Sequence, residues 1–498
     1  MMFAEEKLPN WLKKRAELTP NRVAVEFKNK LYTFNELDAM AEETAGKLVA
    51  TGFQAGDVCA LLVRNHIDSV VMIHALFYLG TKIVFLNNRL TPKELSWQLA
   101  DSGSKWLVSE KHFHEKLVEI KKQSSGVFIA KMEEIRLITT LNEANIQEEF
   151  ILQDTATIMY TSGTTGNPKG VIQTFGNHWW SAMGSMLNLG LSEDDCWFCG
   201  VPIFHISGLS ILMRSVIYGM KVILVERFEE DEANAMIQQK GVTIISVVTA
   251  MLNRMLVALG NETYPESFRC MLLGGGPAPK SMLEACKDKG IPVYQTYGMT
   301  ETSSQIVTLV PEYSLIKIGS AGKPLFPSRL KIEIDGRPAG TEEPGEIVVS
   351  GPNVTSSYLN REAETKKAIK DGWLYTGDIG YLDDDGFLYV LDRRADLIIS
   401  GGENVYPAEI ESVISQHPAV FEAGVSAKAD ERWGQVPVAF VVTHEEARTN
   451  EKELIAYCRE HLASYKVPNQ VIFCDALPRN ASNKLSRREL KKSLEASE

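Results

Sequence analysis

The sequence predicts an α/β protein carrying a small all-β subdomain and a smaller α+β unit behind it, and three observations predict this. Short β-branched runs alternate with segments of helical period up to about Thr308. Between Gly319 and Val390 the texture changes to short strands punctuated by Gly, Pro and Asp, as in Leu330-Lys331-Ile332-Glu333-Ile334 and Gly345-Glu346-Ile347-Val348-Val349. After Asp392-Arg393-Arg394-Ala395-Asp396 mixed helix and strand patterns return. At 498 residues the chain exceeds what one hydrophobic core organises. We therefore expect an N-terminal region over 1–391 built of two α/β subdomains and the all-β one, a junction at 392–396, and a small domain over 397–498.

Taken in order, a helix is expected around Trp11 to Leu18, then a hairpin from Val23-Ala24-Val25 and Leu31-Tyr32-Thr33. Thr33 and Glu36 have the spacing of a capping box, and Leu37, Met40, Ala41, Thr44, Ala45 and Leu48 recur behind them at helical period. Strand–helix units follow at Val58 to Val63 with Ile67 to Gly80, and at Lys82 to Phe85 with Thr91 to Ser102. Thr91-Pro92 supplies the cap and first turn of the last helix. Lys111 to Glu149 is polar and aperiodic, and is expected to be a surface connection. A second alternating block runs from Ile151 to about Thr308, and no repeat or low-complexity tract interrupts it.

Composition narrows the function classes. A net charge of -12, with no dense Lys/Arg stripe outside the C-terminal tail, argues against a nucleic-acid footprint. No run of about 18 apolar residues marks an integral membrane segment. Met1 to Arg15 mixes Glu5, Glu6 and Lys7 with no apolar signal core, so a cytoplasmic location is the expectation. Seven cysteines, an odd number, fit reduced thiols better than a disulfide framework. Cys196-Trp197-Phe198-Cys199 has CxxC spacing, but Trp197, Phe198, Val201 and Ile203 favour a buried strand over a redox or metal site. Homo-oligomerisation is left open.

Chemistry enters at Tyr160-Thr161-Ser162-Gly163-Thr164-Thr165-Gly166-Asn167-Pro168-Lys169-Gly170. Its three glycines let the backbone approach an anion, the hydroxyls of Thr161, Ser162, Thr164 and Thr165 add donors, and Lys169 adds a mobile cation. The Walker pattern is absent, because Pro168 stands where its second glycine belongs. Val171-Ile172-Gln173-Thr174 reads as a strand, so the loop is expected to join two strands without a helix dipole behind it. A surface linker of the same composition is the competing reading.

Taken with Tyr297-Gly298-Met299-Thr300-Glu301, Tyr375-Thr376-Gly377-Asp378 and Arg393 followed by Ser400-Gly401-Gly402-Glu403-Asn404, the loop resembles the acyl-adenylate-forming enzymes. That superfamily comprises acyl-CoA synthetases, peptide-synthetase adenylation domains and luciferases. The resemblance implies a β-barrel-like third subdomain and a mobile C-terminal domain, with ATP, Mg²⁺ and coenzyme A as reactants or cofactors. It implies that Ser162, Gly163, Thr164, Thr165, Gly166 and Lys169, with Thr161, hold the diphosphate end of ATP. Glu301 would hold Mg²⁺, and Thr300 would bond the α-phosphate. Tyr297 would flank the adenine opposite Gly274-Gly275-Gly276, Asp378 would accept the ribose hydroxyls, and Arg393 would support ribose or phosphate. Lys484, in Leu477-Pro478-Arg479-Asn480-Ala481-Ser482-Asn483-Lys484, matches the lysine that bridges the attacking carboxylate and the α-phosphate. The family's glycine before it is Asn483 here, a residue that tolerates positive φ. Ala395 would be the pivot of domain rotation, after which Gly401 and Gly402 would help form the thiol tunnel.

Val201-Pro202-Ile203-Phe204-His205-Ile206-Ser207-Gly208-Leu209 matches the family's acid-pocket motif, so His205 and Ser207 would line the acid site. No aspartate lies between Val201 and Arg214 to pair a substrate ammonium, which counts against amino-acid activation. The finer detail, including Gln173-Thr174-Phe175-Gly176-Asn177-His178 and Met299-Thr300-Glu301-Thr302-Ser303-Ser304-Gln305, resembles the branch that activates an aromatic acid through its succinyl arm while a second carboxylate remains. Such a pocket needs a fixed cation or hydrogen-bond donors for the spare charge, and Arg214, on the apolar segment Leu209 to Tyr218, is the candidate. Its alternatives are a helix residue snorkelling to the surface or an arginine paired with a carboxylate of its own. Two further readings stand: a different aryl- or medium-chain acyl-CoA synthetase, and a non-catalytic nucleotide-binding scaffold.

Overall fold

The computed structural model describes residues 6–161, 168–275, 278–393, 396, 398–400, 403–430, 433–444, 447–462, 464–480 and 483–495. Two stacked α/β units and an all-β unit carry the larger part of the chain. The first sheet runs in the order Lys169–Thr174, Thr155–Thr161, Lys82–Phe85, Val58–Leu62, Trp106–Ser109 and Phe128–Lys131. Its first pair is antiparallel and the rest parallel. The interior strands Val58–Leu62 and Lys82–Phe85 are nearly continuous apolar runs, as strands covered on both faces must be. Helices start where the chemistry of their caps dictates: capping boxes at Thr33/Glu36 and Thr91/Glu94 are both closed.

The second sheet has a parallel centre of Cys196–Cys199, Lys221–Leu224, Ile244–Val248, Cys270–Gly274 and Val293–Met299. The expected N-terminal hairpin, Val23–Phe27 with Lys30–Thr33, adds to this sheet beside Lys221–Leu224 and not to the first one. At the other side Val293–Met299 pairs antiparallel with Ser304–Leu309, and through Ser320–Pro324 the ladder continues into the all-β unit. That unit is thus hydrogen-bonded to the second α/β sheet. The C-terminal region has its own sheet, centred on Val420–Asp430 and Gly434–Thr443, and its own apolar cluster including Ile398, Val405, Ile410, Val425 and Val441.

One expectation is corrected. Lys111 to Glu149 is more than a surface connection: it holds the helix His114–Gln123, the edge strand Phe128–Lys131 of the first sheet and the short helix Met132–Arg136. The helix buries only Leu117 and Ile120, and an edge strand of four residues carries too short an alternation to read. Cys196–Cys199 is a buried strand with all four residues in the core, and burial raises both thiols to about 12.

Candidate active site

The phosphate loop is carried by a hairpin. Thr161 is in register with Lys169, so strands Thr155–Thr161 and Lys169–Thr174 leave and re-enter side by side. Ser162, Gly163, Thr164, Thr165 and Gly166 lie outside the described residues. Gly170 packs where a Cβ would sit 3.2–3.3 Å from Ile158, Leu359 and Tyr160, which holds the neighbouring segment close. From that segment comes Tyr358. The Lys169 ammonium stands 5.2 Å from the Tyr358 ring centroid, and the Tyr358 hydroxyl donates to Glu301 Oε1 at 3.2 Å. Burial, and then the Glu301 charge, raise the Tyr358 phenol far above its ordinary value, so it remains a donor. Tyr358 therefore joins the loop lysine to the acidic turn.

Glu301 sits in a single turn of 3₁₀ helix, Thr300–Thr302, followed by Ser303 and Ser304 with φ of 52° and 115°. Two successive non-glycine residues in that region cost of order 1–3 kcal/mol each. The Thr302 hydroxyl accepts from Met299 N–H and has the Ser304 carbonyl at 2.6 Å and the Met299 carbonyl at 3.0 Å as acceptors for its one proton, which helps hold the bend. Gly298 is required here: a Cβ would meet the Ser304 carbonyl oxygen at 2.1 Å.

On the nucleoside side, the Tyr297 hydroxyl donates to Asp378 Oδ2 at 2.8 Å, and the Thr376 hydroxyl accepts from the Asp378 N–H at 3.1 Å. Asp378 is paired in register with Arg393, the last residue of the adjacent antiparallel strand, so the chain enters the 392–396 junction beside Asp378. Gly274 ends the strand Cys270–Gly274, and Gly275 follows with φ of 86°. Gly276, Ala395, Gly401 and Gly402 lie outside the described residues.

His205 precedes the helix Ile206–Tyr218, whose first turn approaches so closely that a Cβ on Gly208 would lie 2.3 Å from the Pro202 carbonyl. Burial lowers the His205 imidazole to about 4, and the cations of Arg89 and Lys484 push the same way. The charge of Lys484, from the C-terminal region, is thus felt at the acid motif. It stands at the end of a tight turn in which Asn483 has φ of 60° and the Lys484 N–H donates to Asn480 Oδ1 at 3.0 Å. Asparagine takes the left-handed conformation expected of it. Ser207 is exposed at the helix start.

Arg214 lies about two turns further along the same helix and is 1% exposed. Its Nη2 donates to Ser304 Oγ at 3.3 Å, its guanidinium carbon lies 5.3 Å from the Trp197 ring centroid, and its Nε has no hydrogen-bond partner. Among the described residues no carboxylate comes within ion-pair distance of it. Burial lowers its pKa, with Tyr218 partly opposing. Both bland readings of this arginine are removed: it neither reaches the surface nor pairs with a described carboxylate.

The family model for AMP-binding enzymes matches residues 12–359, and that for the AMP-binding enzyme C-terminal domain matches 409–484. The chain belongs to the AMP-binding enzyme family. Among its relatives, the 2-succinylbenzoate–CoA ligase of Geobacillus kaustophilus is 57% identical over 97% of this chain and 98% of its own. The o-succinylbenzoate CoA synthetase of Bacillus subtilis, solved with its acyl-adenylate intermediate, is 51% identical, covers 98% of both chains and has a TM-score of 0.92. The same enzyme solved with ATP and magnesium gives the same identity and TM-score.

For an AMP-binding enzyme the donor set fits the ligands expected. No cluster of three or more His, Cys, Asp or Glu suited to a metal occurs among the described residues. A Mg²⁺ ion carried on substrate phosphates needs no such cage, since one or two carboxylates suffice, and Glu301 offers one. Sequence reasoning missed Tyr358, and it missed Ser304, on which Arg214 rests. Neither carries a spacing signal; Tyr358 reaches Glu301 across 57 residues of chain.

Proposed function

We propose that this AMP-binding enzyme is the ATP-dependent acid–thiol ligase that converts 2-succinylbenzoate, ATP and coenzyme A to 2-succinylbenzoyl-CoA, AMP and diphosphate, a step of menaquinone biosynthesis. In the first half-reaction a succinyl carboxylate oxygen attacks the α-phosphorus and diphosphate leaves. In the second, the coenzyme A sulfur attacks the acyl carbon, loses its proton, and AMP departs with the bonding electrons. The intermediate divides one difficult condensation into two transfers.

The observation that carries the substrate is Arg214, a buried cation with no described carboxylate partner, on the helix that starts at the acid motif. A charge so placed is costly until an anion arrives, and the aromatic carboxylate of 2-succinylbenzoate is that anion. The other roles complete the reading. Thr161 to Lys169 hold the diphosphate end of ATP, Thr300 the α-phosphate and Glu301 the Mg²⁺. Tyr297 and Gly274 to Gly276 enclose the adenine, Asp378 takes the ribose, and Arg393 supports it. His205 and Ser207 line the acid site, and Lys484 neutralises the approach of carboxylate to phosphate.

The division at 392–396, rotation about Ala395, and the passage of the coenzyme A arm by Gly401 and Gly402 belong to the same proposal, as does a cytoplasmic location. Among the described residues no helix is long and apolar enough to cross a membrane. The deciding experiment is thioester formation with 2-succinylbenzoate, benzoate and octanoate side by side. A clear preference for 2-succinylbenzoate is expected, and equal or better use of octanoate would overturn the assignment.

A further inference from the structure

The turn that presents Glu301 is gripped from outside the nucleotide site. Four consecutive carbonyl oxygens each accept a hydrogen bond from elsewhere in the fold. Thr300 accepts from the Gln173 amide at 2.8 Å, Glu301 from the Thr355 backbone N–H at 2.7 Å, Thr302 from the Asn353 amide at 3.0 Å, and Ser303 from the Ser181 hydroxyl at 2.6 Å. These donors come from the second hairpin strand, the connection before Tyr358, and the helix Phe175–Leu189. The strained pair at Ser303 and Ser304 is held in place by this grip.

Two of these donors are committed at their other end as well: Asn353 Oδ1 accepts from the Ser328 hydroxyl at 3.0 Å, and Gln173 is held by a longer relay. Its Oε1 accepts from the Thr157 hydroxyl at 2.8 Å, and Thr157 Oγ1 lies 2.8 Å from His178 Nε2. All three side chains are buried. A hydroxyl has one proton, and that proton goes to Gln173; His178 Nε2 must then carry the hydrogen that reaches Thr157. The bonds therefore run one way, from His178 through Thr157 and Gln173 to the Thr300 carbonyl. Turning the Gln173 amide over would set its oxygen against the Thr300 oxygen and leave the Thr157 hydroxyl facing an NH₂. Burial keeps the ring neutral by lowering it to about 4.

We propose that His178, Thr157 and Gln173 are positioning residues for adenylation. Thr157 and Gln173 lie on the two strands that carry the phosphate loop, so the relay locks that hairpin to the backbone of the turn bearing Glu301. The strands that flank the phosphate loop and the turn that bears the carboxylate are thereby tied to one another. None of the three touches the reacting atoms; they act through Thr300 and Glu301, in the way outer-shell partners fix a metal ligand. The inference rests on the reading of Glu301 as the Mg²⁺ ligand.

The test separates the two half-reactions. ATP–diphosphate exchange is measured against Mg²⁺ concentration, and thioester formation is measured separately from supplied acyl-adenylate and coenzyme A, for Gln173→Met, Thr157→Val, Thr157→Ser and Glu301→Gln. In Gln173→Met and Thr157→Val the half-saturating Mg²⁺ concentration should rise and exchange should fall, each by about 10-fold or more, the usual cost of losing an outer-shell partner. Thioester formation from the supplied intermediate should stay within about twofold, and Thr157→Ser should restore exchange. If Gln173→Met does not fold, the Thr157 pair decides alone. Equal losses in both half-reactions with an unchanged Mg²⁺ dependence would mean a merely structural relay and overturn the inference. An unchanged Mg²⁺ dependence in Glu301→Gln would instead overturn the metal reading beneath it.

Discussion

A guanidinium stays protonated at any ordinary pH, so burying one with no counter-charge beside it is costly, and Arg214 has none among the described residues. This gives one substitution two opposite effects. Arg214→Leu should lower kcat/KM for 2-succinylbenzoate by at least about 30-fold, from the ~2 kcal/mol floor for truncating one partner of a buried charge pair. The same change should leave the melting temperature of the ligand-free protein unchanged or raise it, because removing a desolvated charge offsets the volume that the shorter leucine leaves unfilled. Steady-state kinetics and a thermal melt on one preparation read both. A variant that melts earlier and keeps its kinetics would make Arg214 a structural residue.

At the scale of elements, the site depends on close backbone approaches that only glycine permits. At Gly298 the strand Val293–Met299 turns into Thr300–Thr302, with the Ser304 carbonyl 2.1 Å from where a Cβ would stand. Gly298→Ala should destabilise the protein by about 1–3 kcal/mol, as overpacking does, and impair adenylation by displacing Glu301. Gly340→Ala is the control. Its Cβ would meet nothing nearer than Glu343 Oε2 at 3.6 Å, and a change within about 0.5 kcal/mol is expected in denaturant unfolding. Elements with strong local signals were legible in advance: the capping boxes at Thr33 and Thr91, the strand–loop–strand setting of Thr161 to Lys169, and the buried strand at Cys196–Cys199. The region after Lys111 was not. Its helix shows only Leu117 and Ile120 to the core and has no side-chain cap, so neither period nor punctuation gave it away.

For the whole molecule, three histidines, His74 and His178 buried and His205 half-buried, set a pH dependence. His74, His178 and His205 are each lowered from 6.5 to about 4, chiefly by burial. Unfolding exposes them and lets them take protons that the folded state refuses. Their contribution to stability is therefore full above pH 6.5 and is lost as pH falls toward 4, by up to about 1.4 kcal/mol per pH unit for each proton. Urea unfolding at pH 7 and pH 5 checks this, and a flat profile would contradict it. The sequence by itself determined the α/β class, the order of the regions, the nucleotide chemistry and the suspicion about Arg214, because these rest on residue type, period and short spacings. Tertiary structure decided the rest. It placed the N-terminal hairpin on the second sheet, brought Tyr358 to Glu301, set Ser304 under Arg214, removed every described carboxylate from Arg214, and brought the charge of Lys484 to His205. Each of these is a meeting of residues far apart in the chain, and such meetings are fixed by packing and burial, for which local sequence carries no signal.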